Sequence, residues 1–239
     1  MSLFSKKNVL LAGVITLIFA LPAYASVNKS VKIADGGTSS GASSVNGSVT
    51  VGDNATVTGS LSTVNGSIRI GEGASVEEAT TVNGGLRVSA NARTEDLETV
   101  NGAIKIADQV EVSGEVSAVN GSISLKKGSS VSSSLSNVNG DITLAGSTVA
   151  KNVETVNGDV SLLDGAVVKG DLKIEKPGGW NNSRQSRDPT ITIGPGSRVE
   201  GVIVLERKVK LYISDTAEVG GVEGVMSMDD AIRFSGNRP

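Results

Sequence analysis

The triplet Val45-Asn46-Gly47 returns at residues 64–66, 82–84, 100–102, 119–121, 138–140 and 156–158, always 18 or 19 residues further on. A fixed period of this length marks a chain built from one small unit repeated along an axis. Behind each triplet the sequence alternates apolar, polar, apolar: Val49-Thr50-Val51, Ile68-Arg69-Ile70, Leu86-Arg87-Val88, Ile104-Lys105-Ile106, Ile123-Ser124-Leu125, Ile142-Thr143-Leu144 and Val160-Ser161-Leu162. Period two predicts a strand with one buried face. Two further apolar columns follow in phase, Val57, Val76, Val112, Val131, Val149, Val168 and then Leu61, Ala79, Leu97, Val116, Leu135, Val153, Leu172. Each repeat therefore holds roughly three short strands joined by Gly, Asn or Ser turns. Such a unit cannot close a domain alone. It can form one coil of a solenoid, paired with the next at about 4.7–4.9 Å, with the inward side chains of all coils making one core.

The prediction is an all-β, single-stranded parallel β-helix of about ten coils of 18–19 residues. Val31-Lys32-Ile33, behind Val27-Asn28-Lys29, adds a coil before the first triplet. Leu211-Tyr212-Ile213 and the residues to Val219 copy 49–57 near the other end. At the strand spacing the rod would be about 45 Å long. Aromatic residues make up 3% of the chain, so the core must be built from Val, Ile, Leu and Ala rather than from large rings.

The triplet acquires a structural meaning in this frame. Asn28, Asn46, Asn65, Asn83, Asn101, Asn120, Asn139 and Asn157 fall on one corner of successive coils. Each amide can donate to one neighbour and accept from the other, as in other stacked β structures. Asn is also expected to adopt the left-handed conformation of a tight corner, Gly to let the chain turn, and Val to fill the core. The ladder is expected to end where Glu175 takes the place of Asn. Independent Asn-Gly hairpins are the alternative reading of the triplets.

The chain divides further. Residues 1–25 read as a cleaved signal peptide: Lys6 and Lys7, an apolar stretch Val9–Leu21, then Ala23-Tyr24-Ala25. The β-helix domain is expected over 26–224, interrupted by a loop at 176–189 that breaks the period. Residues 225–239, with Met226, Met228, Ile232 and Phe234, read as a cap or tail, since a solenoid end left open recruits other chains. No stretch after the leader is apolar enough to cross a bilayer as a helix.

Composition closes many chemical options. The chain has no Cys and no His, which removes Ser-His triads, thiol nucleophiles and the usual zinc sites. No Gly-rich phosphate loop joins a strand to a helix, and no cofactor is expected. A formal charge of −3, more negative once Lys6 and Lys7 are removed, argues against a dedicated nucleic-acid binder. Carboxylate chemistry on a polysaccharide stays as a distant possibility, with Asp141 and Asp159 stacked at one corner. Solvated polar residues at that corner are the plainer reading.

Charge supplies the surface candidates. Arg69, Arg87 and Lys105 occupy the outward position of the first strand on three successive coils. Glu78, Asp96 and Glu115 align on the same coils, with Glu77, Glu95 and Glu98 beside them. Like charges in register cost free energy unless something compensates them. The basic stripe is a candidate for an anionic ligand, such as an acidic polysaccharide or another envelope component; a solvated face that resists sheet aggregation is the alternative. Trp180, with Arg184 and Arg187 on the inserted loop, is a candidate recognition tip or a lid folded onto the coils.

The Val-Asn-Gly-x-Ile-x-Ile repeat resembles the adhesin-like families of bacterial exported proteins. Ile193-Gly-Pro-Gly-Ser-Arg-Val-Glu-Gly201 is similar to bactofilins, polymer-forming bacterial β-helices. The resemblance implies a right-handed β-helix and carries over no catalytic residues. A further likeness, of Val51–Val57 and Ile70–Val76 to the hexapeptide repeats of left-handed acyltransferases, stops at the missing histidine. The expectation is a non-enzymatic, exported scaffold or adhesin-like binding surface in the periplasm or on the cell surface of a bacterium. The runner-up is a self-assembling structural protein joined through its solenoid ends.

Overall fold

The structure, a computed structural model that describes residues 25–177 and 187–239, is a parallel β-solenoid. The expected leader up to Tyr24, and Trp180 with Arg184 on the inserted loop, lie outside the described residues. Each coil begins with a three-residue limb that pairs in parallel with its equivalent one coil on. Val49 sits against Ile68, Ile68 against Leu86, Leu86 against Ile104 and Ile104 against Ile123. These first limbs form an 11-stranded sheet, running from Val31–Ile33 to Ile232–Phe234.

The second and third limbs of each coil belong to one 18-stranded sheet. In three consecutive coils they fuse into single strands, Thr56–Thr63, Ser75–Asn83 and Arg93–Asn101. In the next coil they separate into Glu111–Val112 and Val116–Asn120. All three apolar columns point inward, and Leu61, Leu97, Ile104, Ile123, Leu135 and Ile142 are fully buried. Each such side chain contributes about 1.5–3 kcal/mol relative to exposure. Because every coil repeats the same small residues, the core is one narrow column rather than a globule.

The corner differs from the sequence expectation in two respects. The first concerns Val. Val45 is 42% exposed, and of the triplet valines Val156 alone is buried. The inward position belongs to the residue before it, Ser44, Thr63, Thr81, Thr99 or Asn137. Thr63, Thr81 and Thr99 donate their hydroxyls to the carbonyls of Gly47, Gly66 and Gly84, at 2.8, 2.9 and 3.0 Å. Asn137 does the same to Gly121 through Nδ2, at 2.9 Å. A carbonyl at a corner has left the sheet ladder, and a buried hydroxyl needs a partner, so each satisfies the other.

The second concerns backbone shape. No ladder Asn has a positive φ. Left-handed residues sit instead in the turn after the first limb, where Asn54, Asn91, Gln109 and Asp164 have φ of 55–60°. The corner glycines serve close approach: a Cβ on Gly66, Gly84, Gly102, Gly121 or Gly158 would overlap the carbonyl oxygen of the glycine one coil before it. Gly is thus required because backbone meets backbone across coils.

At the C-terminal end, Met228–Asp230 form a short 3-10 turn, with Asp230 Oδ2 accepting from the Ser227 backbone at 2.8 Å. Ile232–Phe234 then pairs with Lys210–Ser214, extending the narrow sheet by one strand. Met226 and Met228 pack against the end of the core.

Candidate functional site

The Asn column forms a continuous hydrogen-bonded ladder. Asn46, Asn65, Asn83, Asn101, Asn120, Asn139 and Asn157 each donate Nδ2 to the Oδ1 of the preceding member, starting from Asn28, at 2.8–3.0 Å. Every bond points the same way, so the ladder ends on the free acceptor of Asn157. Arg207 Nη1 donates to that oxygen at 3.0 Å. The expected end of the ladder shifts by one residue: Thr155 pairs with Ile174, which puts Lys176, not Glu175, in register with Asn157. Arg207 lies one coil further on, in register with Lys176, and reaches back past that coil to Asn157. The loop breaks the sequence phase here, so no periodic signal marks Arg207.

The basic stripe is a straight row. Arg69 pairs in register with Arg87, and Arg87 with Lys105, all three exposed on the outer face of the narrow sheet. No ion pair joins them to another described residue. Elsewhere on the rod, opposite charges face each other across coils: Arg93 with Glu111 at 3.0 Å, Arg198 with Glu218 at 2.8 Å, and Lys173 with Glu206 at 3.1 Å. The row at Arg69 departs from that pattern. It lies at the strand spacing of about 4.8 Å per charge.

On the same three coils the broad sheet carries the acidic residues, and here the exterior is concave. Val76 and Ala79 both face the core, so Glu77 and Glu78 between them break the alternation and the strand bends. Beyond the bend, Thr80 lies between the inward residues Ala79 and Thr81, yet it is only 1% exposed. It sits inside the angle of the bend. Glu98 is in register with Thr80 on one side and with Ser117, 2% exposed, on the other. These residues floor a groove that Glu78, Asp96 and Glu115 line. Thr80 donates to Glu78 Oε1 at 3.3 Å and Ser136 to Glu115 Oε1 at 3.4 Å. Ser117 Oγ has no hydrogen-bond partner.

Crowding shows in the titration of the groove. Partial burial pushes the Glu98 carboxyl up to about 6, and the negative charges of Glu78, Asp96 and Glu115 push the same way. Burial also raises Glu78, opposed by the Thr80 hydroxyl and assisted by Asp96 and Glu95. Sequence reasoning found the carboxylates but not the groove. Its signal is the in-phase polar column Ser62, Thr80, Glu98, Ser117, Ser136, which alone does not reveal a bend.

The remaining candidates separate. Asp141 Oδ1 accepts from the Asp159 backbone at 3.0 Å. Asp159 in turn accepts from Thr190 N at 2.8 Å and from Arg187 Nη2 at 2.7 Å. These carboxylates hold one coil to the next and anchor the far end of the insertion. Arg187 is thereby tied to the rod and lies away from the basic row in sequence register. No group of three or more acidic residues among the described residues is placed to hold a metal ion. No helix among them is long and apolar enough to cross a membrane. Comparisons of the chain with protein-family models, curated proteins and solved structures each return no match.

Proposed function

We propose that this chain is an exported, non-enzymatic scaffold of the bacterial envelope that presents a rigid, adhesin-like binding surface. The observation that carries the reading is the exposed in-register row Arg69, Arg87, Lys105, set at strand spacing and without ion pairs to described residues. Its neighbours above and below are held by backbone ladders and by the Asn column, so the charges cannot spread to relieve their repulsion. Such a row suits a partner with evenly spaced anionic groups. Export rests on the leader read in residues 1–25.

The test is binding of an acidic polysaccharide and of vesicles rich in anionic lipid to the wild type and to Arg69→Ser/Arg87→Ser. Salt-sensitive binding, weakened by the double substitution, is the expected result. Equal, salt-insensitive binding by both proteins would refute the role of the row. Self-assembly through the solenoid ends is the second reading; Met226 and Met228 pack against the core near the C-terminal end, where Val225 and Ile232 are exposed. Carboxylate catalysis is less well supported, since Asp141 and Asp159 are both engaged in holding backbone.

A further inference from the structure

The basic row and the acidic groove share three coils and one pitch. Arg69 and Glu78 lie on one coil, Arg87 with Asp96 and Glu98 on the next, and Lys105 and Glu115 on the third. They occupy different sides of the rod, one the outer face of the narrow sheet, the other the concave exterior of the broad sheet. Long basic side chains project from the first, and the second is a recess lined with acceptors. It also holds a buried hydroxyl, Ser117 Oγ, with no partner.

We propose that the partner of the acidic groove is the basic row of a second copy of this chain, so that rods pair side by side, parallel and without axial stagger. The proposal rests on the scaffold reading above and names the partner of its charged surface. Charge complementarity and equal pitch make the match: three cations at strand spacing meet carboxylates at the same spacing, on the same coils. Ser117, in register with Glu98 on the groove floor, keeps a buried hydroxyl without a partner. Cations in the groove also relieve the repulsion that raises Glu98. Because the two surfaces differ, the contact is heterologous. A copy that fills one groove still offers its own, so pairing continues into a row of rods.

Sedimentation velocity on the purified protein tests this, with Arg69→Ser/Arg87→Ser and Glu78→Gln/Glu98→Gln as the two variants. Wild type is expected to associate reversibly at low ionic strength and to dissociate in high salt. Each variant loses about tenfold or more in association constant. An equimolar mixture of the two variants restores a 1:1 pair and nothing larger, since only one complementary contact survives. Lowering the pH from about 7 to about 5 weakens wild-type association as Glu98 gains its proton. A wild type that stays monomeric at low salt, variants that associate like wild type, or a mixture that fails to pair would each overturn the proposal. A monomeric wild type that still binds acidic polysaccharide through Arg69 and Arg87 would leave the scaffold reading standing and the self-pairing refuted.

Discussion

The corner makes an unusual prediction: removing the conspicuous side chain should cost less than adding a methyl group beside it. Asn101 donates to Asn83 and accepts from Asn120, both at 2.9 Å. Asn101→Ala removes two hydrogen bonds, each worth about 0.5–1.5 kcal/mol net. The corner is exposed, so water takes over the orphaned groups, and the loss should be about 1–2 kcal/mol. Asn101→Asp keeps the acceptor but sets a carboxylate oxygen against Asn83 Oδ1; it should cost more than Ala near pH 7 and recover below the usual carboxylate range. Gly102→Ala acts differently. Its Cβ would overlap the Gly84 carbonyl, a backbone atom that cannot rotate away. Separating these two coils would break the bond from Leu86 N to Ala103 O at 3.0 Å. The expected cost is about 3 kcal/mol or more. Solenoids need not unfold in one step, so the assay should be amide hydrogen exchange over residues 86–120, alongside urea denaturation. If Gly102→Ala proves no more damaging than Asn101→Ala, close backbone approach is not what selects glycine here.

Three other outcomes follow from the geometry. Partial burial holds Glu98 at about 6 in the folded chain, above the ordinary carboxylate value of 4.5. The folded state therefore binds the proton more readily and stability should fall as pH rises through that window; Glu98→Gln should stabilise the rod at pH 7–8 by about 1 kcal/mol after allowance for solvent screening and reduce that slope, leaving the smaller share of Glu78. Arg207→Ala should leave the acceptor of Asn157 open and reduce exchange protection around residues 153–174 and 203–207, with residues 49–88 unchanged. Asp159→Asn should loosen Arg187 and Thr190 and raise the rate of protease cleavage within 177–189, while the thermal transition moves by a few degrees at most.

How much of this was legible in the sequence follows from what repeats. First limbs such as Val49–Val51 and Ile104–Ile106 match their sequence pattern residue for residue, because alternation and a fixed period leave a strand one register. The Asn column was legible for the same reason. The inward Thr63, Thr81 and Thr99 were not, since a polar residue two places before Asn reads as outward until the corner carbonyl it serves is seen. The groove was hidden because its cause is a bend at Glu77-Glu78, and a bend has no composition signal. Arg207 was hidden because the insertion puts it out of phase with everything it touches.

The corner has one more consequence, which concerns chemical ageing. Asn-Gly is the dipeptide in which asparagine most readily loses its amide, because glycine leaves its own backbone nitrogen free to attack the side-chain carbonyl. This chain carries seven such bonds in its triplets. In the folded rod the attack is held off at all seven corners by the fixed amide, and at three of them from the glycine side as well. Each amide is fixed toward the adjacent coil, and Gly102 N, Gly121 N and Gly140 N are engaged with the carbonyls of Asn120, Asn139 and Asn157. A coil that frays gives up both protections together. The first deamidation then places a negative charge in the ladder and loosens the next coil. The durability of the molecule is set by its least stable corner, and its age is written in how many of the seven amides survive.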